Sequence, residues 1–135
     1  MEIRKFRPTD MKAFPDLMVA LRAEGVKHIL GPCYTVTDEH GIVAIGGLGS
    51  LGGGTCEAWF QCRLDLNGQG RELVWTTRKM IRDLMQRYGF QRAQAKIQPQ
   101  NEVAIRFVRA MGFTKEGTMR GYWHGEDRDL YARIR

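Results

Sequence analysis

The sequence is poor in the features that would assign it to a specialised class. Its three cysteines, Cys33, Cys56 and Cys62, are an odd set without a paired spacing. That argues against a disulfide framework or a zinc site, and for reduced thiols in a cytosol-like compartment. The three histidines, His28, His40 and His124, stand at no ligand spacing to one another or to the cysteines, so no metal centre is expected. No apolar run is long enough for a membrane span or a signal peptide, and the expected location is cytoplasmic. Internal repeats, low-complexity tracts, linkers and a persuasive Ser/His/Asp order are also missing.

What remains is an ordinary apolar content of 43% in 135 residues, read as a single domain over 1–135. Such a chain buries about two-thirds of its unfolded surface and needs no staple. The net charge is +6, from 21 Lys and Arg against 15 Asp and Glu. A basic surface attracts phosphates, on a cofactor or on a nucleic acid. The arginines are scattered through the second half and no nucleic-acid motif accompanies them. A solvated basic face is therefore favoured over a nucleic-acid partner.

The most informative stretch is Cys56–Tyr88. Cys56 to Leu64 is rich in aromatic and small apolar residues and predicts a half-buried strand. Asp65-Leu66-Asn67-Gly68-Gln69-Gly70 is turn chemistry. Leu73, Val74, Thr77, Met80, Ile81, Leu84, Met85 and Tyr88 then recur at three- and four-residue steps, one stripe of a helix that Gly89 stops. A glycine turn feeding a helix exposes unpaired N–H groups at the positive end of the helix dipole, and Arg71 adds a full charge. Such a corner can hold a phosphate; it can also be no more than a tight connection.

The flanking segments read as follows. Glu2–Arg7 is a first strand, and Thr9 or Asp10 caps a helix from Met11 to about Glu24 with Phe14, Leu17, Met18 and Leu21 on its apolar face. Pro15 falls within its first turn or so, where a missing N–H costs little, and Gly25 stops it. Val26–Leu30 is compatible with a short second helix. Cys33–Thr37 and Ile42–Leu48 form a hairpin about Asp38–Gly41, and Gly49–Gly54 reads as a flexible turn. Gln91–Gln98 alternates with Ala93, Ala95 and Ile97 on one face, and a helix before it implies a parallel pair with the preceding strand. Asn101 caps a helix with Val103, Ala104, Phe107, Val108 and Met111 as its stripe and Gly112 as its stop. Phe113–Tyr122 and Asp129–Arg135 are the last strands, joined by His124–Asp127. The class is α+β with a mixed sheet.

This order is that of the GNAT superfamily of acyl-CoA N-acyltransferases, and three places carry the resemblance. Ile3-Arg4 with Arg7-Pro8-Thr9-Asp10 looks like the family's first strand and acidic helix start. Asn101-Glu-Val-Ala104 through Gly112-Phe113 is similar to its Asn-x-x-Ala segment ending in Gly-Phe. Glu116-Gly117-Thr-Met-Arg120, with Asp129 and Tyr131, looks like the branch of amino-terminal acetyltransferases. The resemblance implies a GNAT-like, mostly antiparallel sheet of about seven strands with a parallel, splayed central pair and three to four flanking helices. It implies acetyl-CoA as co-substrate. Pantetheine would lie on the edge Gln61, Cys62, Arg63 and Leu64, and pyrophosphate on Gly68, Gln69, Gly70 and Arg71. Asn101 would contact the cofactor or orient a water, and Phe107 would line the site. The acceptor would be an amine, such as a protein amino terminus; a homodimer is compatible with the family.

Two positions depart from the family pattern. Asp65 stands where Gln or Arg is usual, and a carboxylate beside pyrophosphate is repulsive unless it points away. Val108 stands where the family often has a general-acid Tyr. Both also fit a second resemblance, to a GNAT-like internal virion protein of short-tailed phages, whose fourth strand is similar to Cys56–Phe60. Under that alternative the protein is catalytically degenerate and resides in the virion or on a host partner.

N-acetylation needs a base to take the amine's proton. Glu57 is the first choice, against a reading as a surface carboxylate paired with an arginine; Glu116 and His124 are weaker candidates. Trp59, Phe60, Trp75, Tyr122 and Trp123 read as core or rim packing, with Tyr122 or Trp123 an alternative wall for an acceptor pocket.

Overall fold

Alternating, glycine-punctuated segments assemble into one seven-stranded sheet. The computed structural model of the protein describes residues 1–16 and 31–135. The strands are β1 (Glu2–Lys5), β2 (Cys33–Asp38), β3 (Gly41–Gly52), β4 (Thr55–Cys62), β5 (Arg92–Ile97), β6 (Thr114–Trp123) and β7 (Glu126–Ile134). Two α-helices are described, α1 (Gly70–Tyr88) and α2 (Glu102–Ala110). The strand order is β1-β2-β3-β4-β5-β7-β6. Neighbours are antiparallel except β4 and β5, which run parallel because α1 carries the chain back between them.

Strand alternation sorts the side chains of the central pair. Cys56 and Ala58 on β4, and Ala93 and Ala95 on β5, pack with Leu84 and Met85 of α1 and with Val108 and Phe107 of α2. Leu73, Leu84 and Met85 are each at most 6% exposed, and burying such side chains contributes roughly 1.5–3 kcal/mol apiece. Gly89 ends α1 in the left-handed region at φ 73°, as its position after the stripe predicts. The Asn101 carboxamide oxygen accepts the Ala104 amide at 3.1 Å and starts α2.

Three expectations need correction. The glycine run 49–54 is mostly strand: Gly49 pairs with Glu57, Ser50 with Cys56 and Gly52 with Thr55, leaving only Gly53 and Gly54 in the turn. The glycines on β3 serve close packing. A Cβ on Gly47 would stand 2.9 Å from the Trp59 indole nitrogen. The first helical segment also begins earlier than its expected caps. A 3-10 helix spans Pro8–Ala13 with Arg7 as its N-cap, and Asp10 sits at the third position, accepting the Arg7 amide at 2.8 Å. Proline takes the opening turn here through Pro8, whose missing N–H costs nothing there. The rest of that expected helix, with Leu17, Met18, Leu21 and Gly25, and the short helix at 26–30, lie outside the described residues. Finally, β4 ends at Cys62, two residues before Leu64, whose side chain is fully exposed.

Candidate functional site

β4 and β5 pair over only three positions, Thr55 with Arg92, Cys56 with Ala93 and Glu57 with Gln94. Beyond them β4 continues to Cys62 and β5 to Ile97, each held only by its outer neighbour, β3 or β7. The two strands therefore part toward their C-terminal ends. Antiparallel pairs alternate in hydrogen bonding, and the Arg63 amide donates to the Val43 carbonyl. By that alternation Gln61 and Trp59 turn their backbone groups toward β3, whereas Ala58, Phe60 and Cys62 turn theirs into the split. A split lined by unpaired backbone groups can take an extended chain bearing amides, as an added strand would.

Because β4 and β5 are parallel, the helices that follow them both begin at the open end of the split. Between β4 and α1, Asn67 and Gly68 adopt left-handed conformations at φ 49° and 77°. Asp65 accepts the Asn67 amide at 2.9 Å, and the Gln69 amide donates to Leu66. The Leu73 amide donates to Gln69, and no side chain caps α1. Among the described residues the amides of Gly68, Gly70, Arg71 and Glu72 have no partner. With the helix dipole they form an anion-binding corner. A Cβ at Gly70 would meet only a Leu66 methyl at 3.9 Å, so the corner is open. The Gln69 carboxamide oxygen is buried beside it without a partner. Asp65 is engaged with its own turn through the Asn67 bond, which bears on the repulsion anticipated at that position.

The remaining expected cofactor residues are placed as follows. The Cys62 side chain is half-buried, and burial raises its thiol pKa. Gln61 reaches the Cys62 carbonyl through its Nε2 at 3.5 Å. Arg63 is committed to structure: its guanidinium holds Asp38 and donates from Nε to the Asp65 carbonyl at 2.8 Å. Leu64 points into solvent. Phe107 stacks on Phe60 with centroids 4.4 Å apart, joining α2 to the unpaired half of β4. Asn101 follows the open end of β5, with its oxygen occupied by the α2 cap. Val108 is buried in the core at 9% exposure.

The sheet face turned away from α1 and α2 carries a line of polar side chains. Glu57 is 9% exposed, so it is no surface carboxylate, and its cation is a lysine. Its Oε1 lies 3.4 Å from Lys96 Nζ, and its Oε2 accepts from Gln94 at 3.2 Å. Lys96 donates to the Tyr122 hydroxyl at 2.6 Å, and Arg92 donates to Gln94 at 3.2 Å. Arg92 also forks onto Glu116, whose pKa that contact lowers. Glu116 is thus a weakened base. His124 sits in the β6–β7 turn at φ 49°, edge-on to Trp123. Gln94 and Lys96 join Glu57 without a sequence motif of their own, and Tyr122, an alternative pocket wall from the sequence, meets them through Lys96. The alternation of β5 was the available signal, since it places Arg92, Gln94 and Lys96 on one face. Trp59 turns its indole N–H onto this buried face without a partner.

No family model and no curated protein sequence matches the chain. Solved structures do. The ribosomal-protein-S5-alanine acetyltransferase from Vibrio fischeri is 23% identical over 96% of this chain and 73% of its own, with a TM-score of 0.69. A variant of the spermidine N-acetyltransferase from Vibrio cholerae is 12% identical over 99% and 95%, with a TM-score of 0.76. A GNAT superfamily phosphinothricin acetyltransferase from Sinorhizobium meliloti, in complex with AcCoA, is 16% identical over 98% and 87%, with a TM-score of 0.71. The chain has the fold of the GNAT acetyltransferases.

Proposed function

We propose that the protein is an acetyl-CoA-dependent N-acetyltransferase acting on an amine, such as a protein amino terminus. The observation that carries this reading is the parted β4–β5 pair opening beside the unpaired amides of Gly68, Gly70, Arg71 and Glu72. Ala58, Phe60 and Cys62 would hold the amide-bearing arm of the cofactor. Gly68, Gly70 and Arg71 would hold its pyrophosphate, and Phe60 and Phe107 would supply apolar surface. When bound, the cofactor supplies an acyl carbonyl activated as a thioester. A backbone N–H of β4 facing the split would polarise that carbonyl as an oxyanion donor. Glu57 would accept the amine's proton, directly or through a water. Lys96 and Gln94 would orient its carboxylate, each bonding one oxygen.

Acetyl-CoA should raise the melting temperature, and Gly70→Glu should abolish the rise while leaving the unliganded melting temperature near wild type. The glycine has room for a side chain, but the added carboxylate would stand at the anion corner. No rise at millimolar acetyl-CoA would overturn the proposal. A second reading is a phage virion or host-interaction protein that keeps the fold without catalysis. It is supported by the buried Val108, which puts no hydroxyl where the family often has one. An acetylated product from an amine panel, read by mass spectrometry, decides between the two.

A further inference from the structure

The outer face of α1 is unlike the rest of the helix. Leu73, Thr76, Thr77 and Leu84 turn inward, whereas Trp75, with Arg78, Lys79 and Arg82 three, four and seven residues after it, stands on the solvent side. Together with Arg133 they line an open hollow of ≈ 560 Å³. Trp75, read from the sequence as core or rim packing, is 67% exposed, and the Lys79 ammonium stands 5.8 Å from its ring centroid. Arg78 donates to the Ala110 carbonyl at 3.3 Å and Arg133 to the Met111 carbonyl at 2.8 Å, so both guanidiniums are pinned at the end of α2. Among the described residues no carboxylate pairs with Arg78, Lys79 or Arg133. Arg82 meets only its neighbour Asp83, at 3.5 Å. The arginines repel: burial, then Arg78 and Arg82, lower the pKa of Arg133. Four cations held together against one exposed carboxylate are relieved by a polyanion.

The hollow extends away from the anion corner of the proposed cofactor site. Arg133 is in register with Ala93, and Ala93 with Cys56, at the zipped end of the β4–β5 pair. The corner at residues 68–72 lies past the opposite end; Trp75 is the lining residue nearest it, about one turn along α1 from Arg71, and Arg82 stands about three turns along.

We propose that this face binds single-stranded nucleic acid, with the phosphates on Arg78, Lys79, Arg82 and Arg133 and a base stacked on Trp75. An accessible indole among guanidiniums favours a polynucleotide over an acidic peptide. A base has a π-face to stack, and its backbone supplies charge at regular spacing.

Fluorescence anisotropy of the full chain with a labelled oligouridylate of about 12 nucleotides tests this, at the length a single binding groove covers. Neutralising three or four phosphates predicts a log–log salt slope of about −2 to −3, hence affinity falling about 20- to 50-fold between about 50 and about 200 mM salt. Trp75→Ala should weaken binding about tenfold, as loss of one stacked base does. The double variant Lys79→Glu/Arg82→Glu should weaken it further, while leaving the melting temperature and any acetyl-CoA-induced rise unchanged. Lys79 and Arg82, unlike Arg78 and Arg133, take no part in the helix-end anchoring, so this variant folds. Absence of binding at low salt would overturn the proposal, as would binding that both variants leave intact. Displacement of the oligonucleotide by acetyl-CoA would assign the face to the cofactor instead. Tighter binding of polyglutamate would assign it to an acidic protein.

Discussion

Replacing Asp10 by Asn measures what holds the β1–β2 edge. Asp10 is 4% exposed. Its carboxylate accepts Arg4 Nη1 and Nη2 at 2.8 Å each, the Arg7 amide at 2.8 Å and the Thr35 hydroxyl at 2.7 Å. Asparagine keeps the shape but presents an NH2 to one arm of the Arg4 fork and removes the charge. Breaking a buried pair costs about 3–5 kcal/mol, and Arg4 is part-exposed, so the lower end, about 3 kcal/mol, applies. An unfolding entropy of about 2.1 cal/mol/K per residue then converts this to a melting-temperature drop of about 10 °C for a chain of this length. Calorimetry at neutral pH reads it directly. A drop below about 3 °C would refute the assignment of the network as a buried anchor.

The pH dependence of the same variant separates charge from packing. The Arg4 fork first, then Thr35 and the Arg7 amide, hold the Asp10 pKa far below the usual carboxylate range, while burial opposes them. A folded pKa below the unfolded value of about 3.9 means that the unfolded chain takes up the proton first on acidification. The stabilisation is therefore complete above about pH 5 and is lost as pH falls toward the folded value. The gap between wild type and Asp10→Asn should stay constant from about pH 7 to about pH 5. Below about pH 4 it should narrow, by about 1.4 kcal/mol per pH unit. A gap independent of pH throughout that range would show that shape, not charge, accounts for the loss.

Other substitutions report on the site. Glu57→Gln keeps the bond from Gln94 but removes the base, so kcat should fall about 10²- to 10⁴-fold while the acetyl-CoA-induced melting shift persists. Steady-state kinetics and a thermal scan check both halves. Asn101→Ala removes the α2 cap and should cost about 1 kcal/mol in urea denaturation. A much larger fall in activity than in stability would place Asn101 in the reaction as well. The Cys56 thiol, pushed up to about 12 by burial and then by the Glu57 charge, should resist iodoacetamide at about pH 8 in the native protein and react after denaturation. Peptide mass spectrometry distinguishes the two.

Much of the fold was legible because local chemistry and tertiary packing agree. The stripe from Leu73 to Met85, the stop at Gly89 and the cap at Asn101 each stand where the pattern puts them. The crossover helix implied the parallel pair, and family resemblance alone supplied its parting. The failures arise where tertiary contact overrides local preference. Glycines at 49 and 52 read as turn formers, yet they pair with β4 across a hairpin whose turn is only Gly53-Gly54. Trp75 read as packing because indoles usually bury their rings, yet it sits on the charged side of α1. The stripe from Leu73 to Met85 leaves Trp75 outside it, so the helical spacing rather than the residue type decides its exposure.

The roles at the split rest on a property that sequence shows only faintly, the period-two alternation of two short strands. On β4 it sends Cys56, Ala58 and Phe60 toward the helices and Glu57 and Trp59 to the other face. The same alternation gives β3 the backbone groups of Gln61 and Arg63 and leaves those of Ala58, Phe60 and Cys62 unpaired. A one-residue slip in the β3–β4 register would reverse both assignments at once, burying a carboxylate among leucines and presenting the wrong amides to the split. The Gly47–Trp59 contact opposes a slip toward Leu48, which would set a Cβ where Gly47 leaves room for the indole nitrogen 2.9 Å away. The glycines of β3 thereby connect to function. They hold the register that keeps Glu57 beside Lys96 and leaves one edge of β4 open.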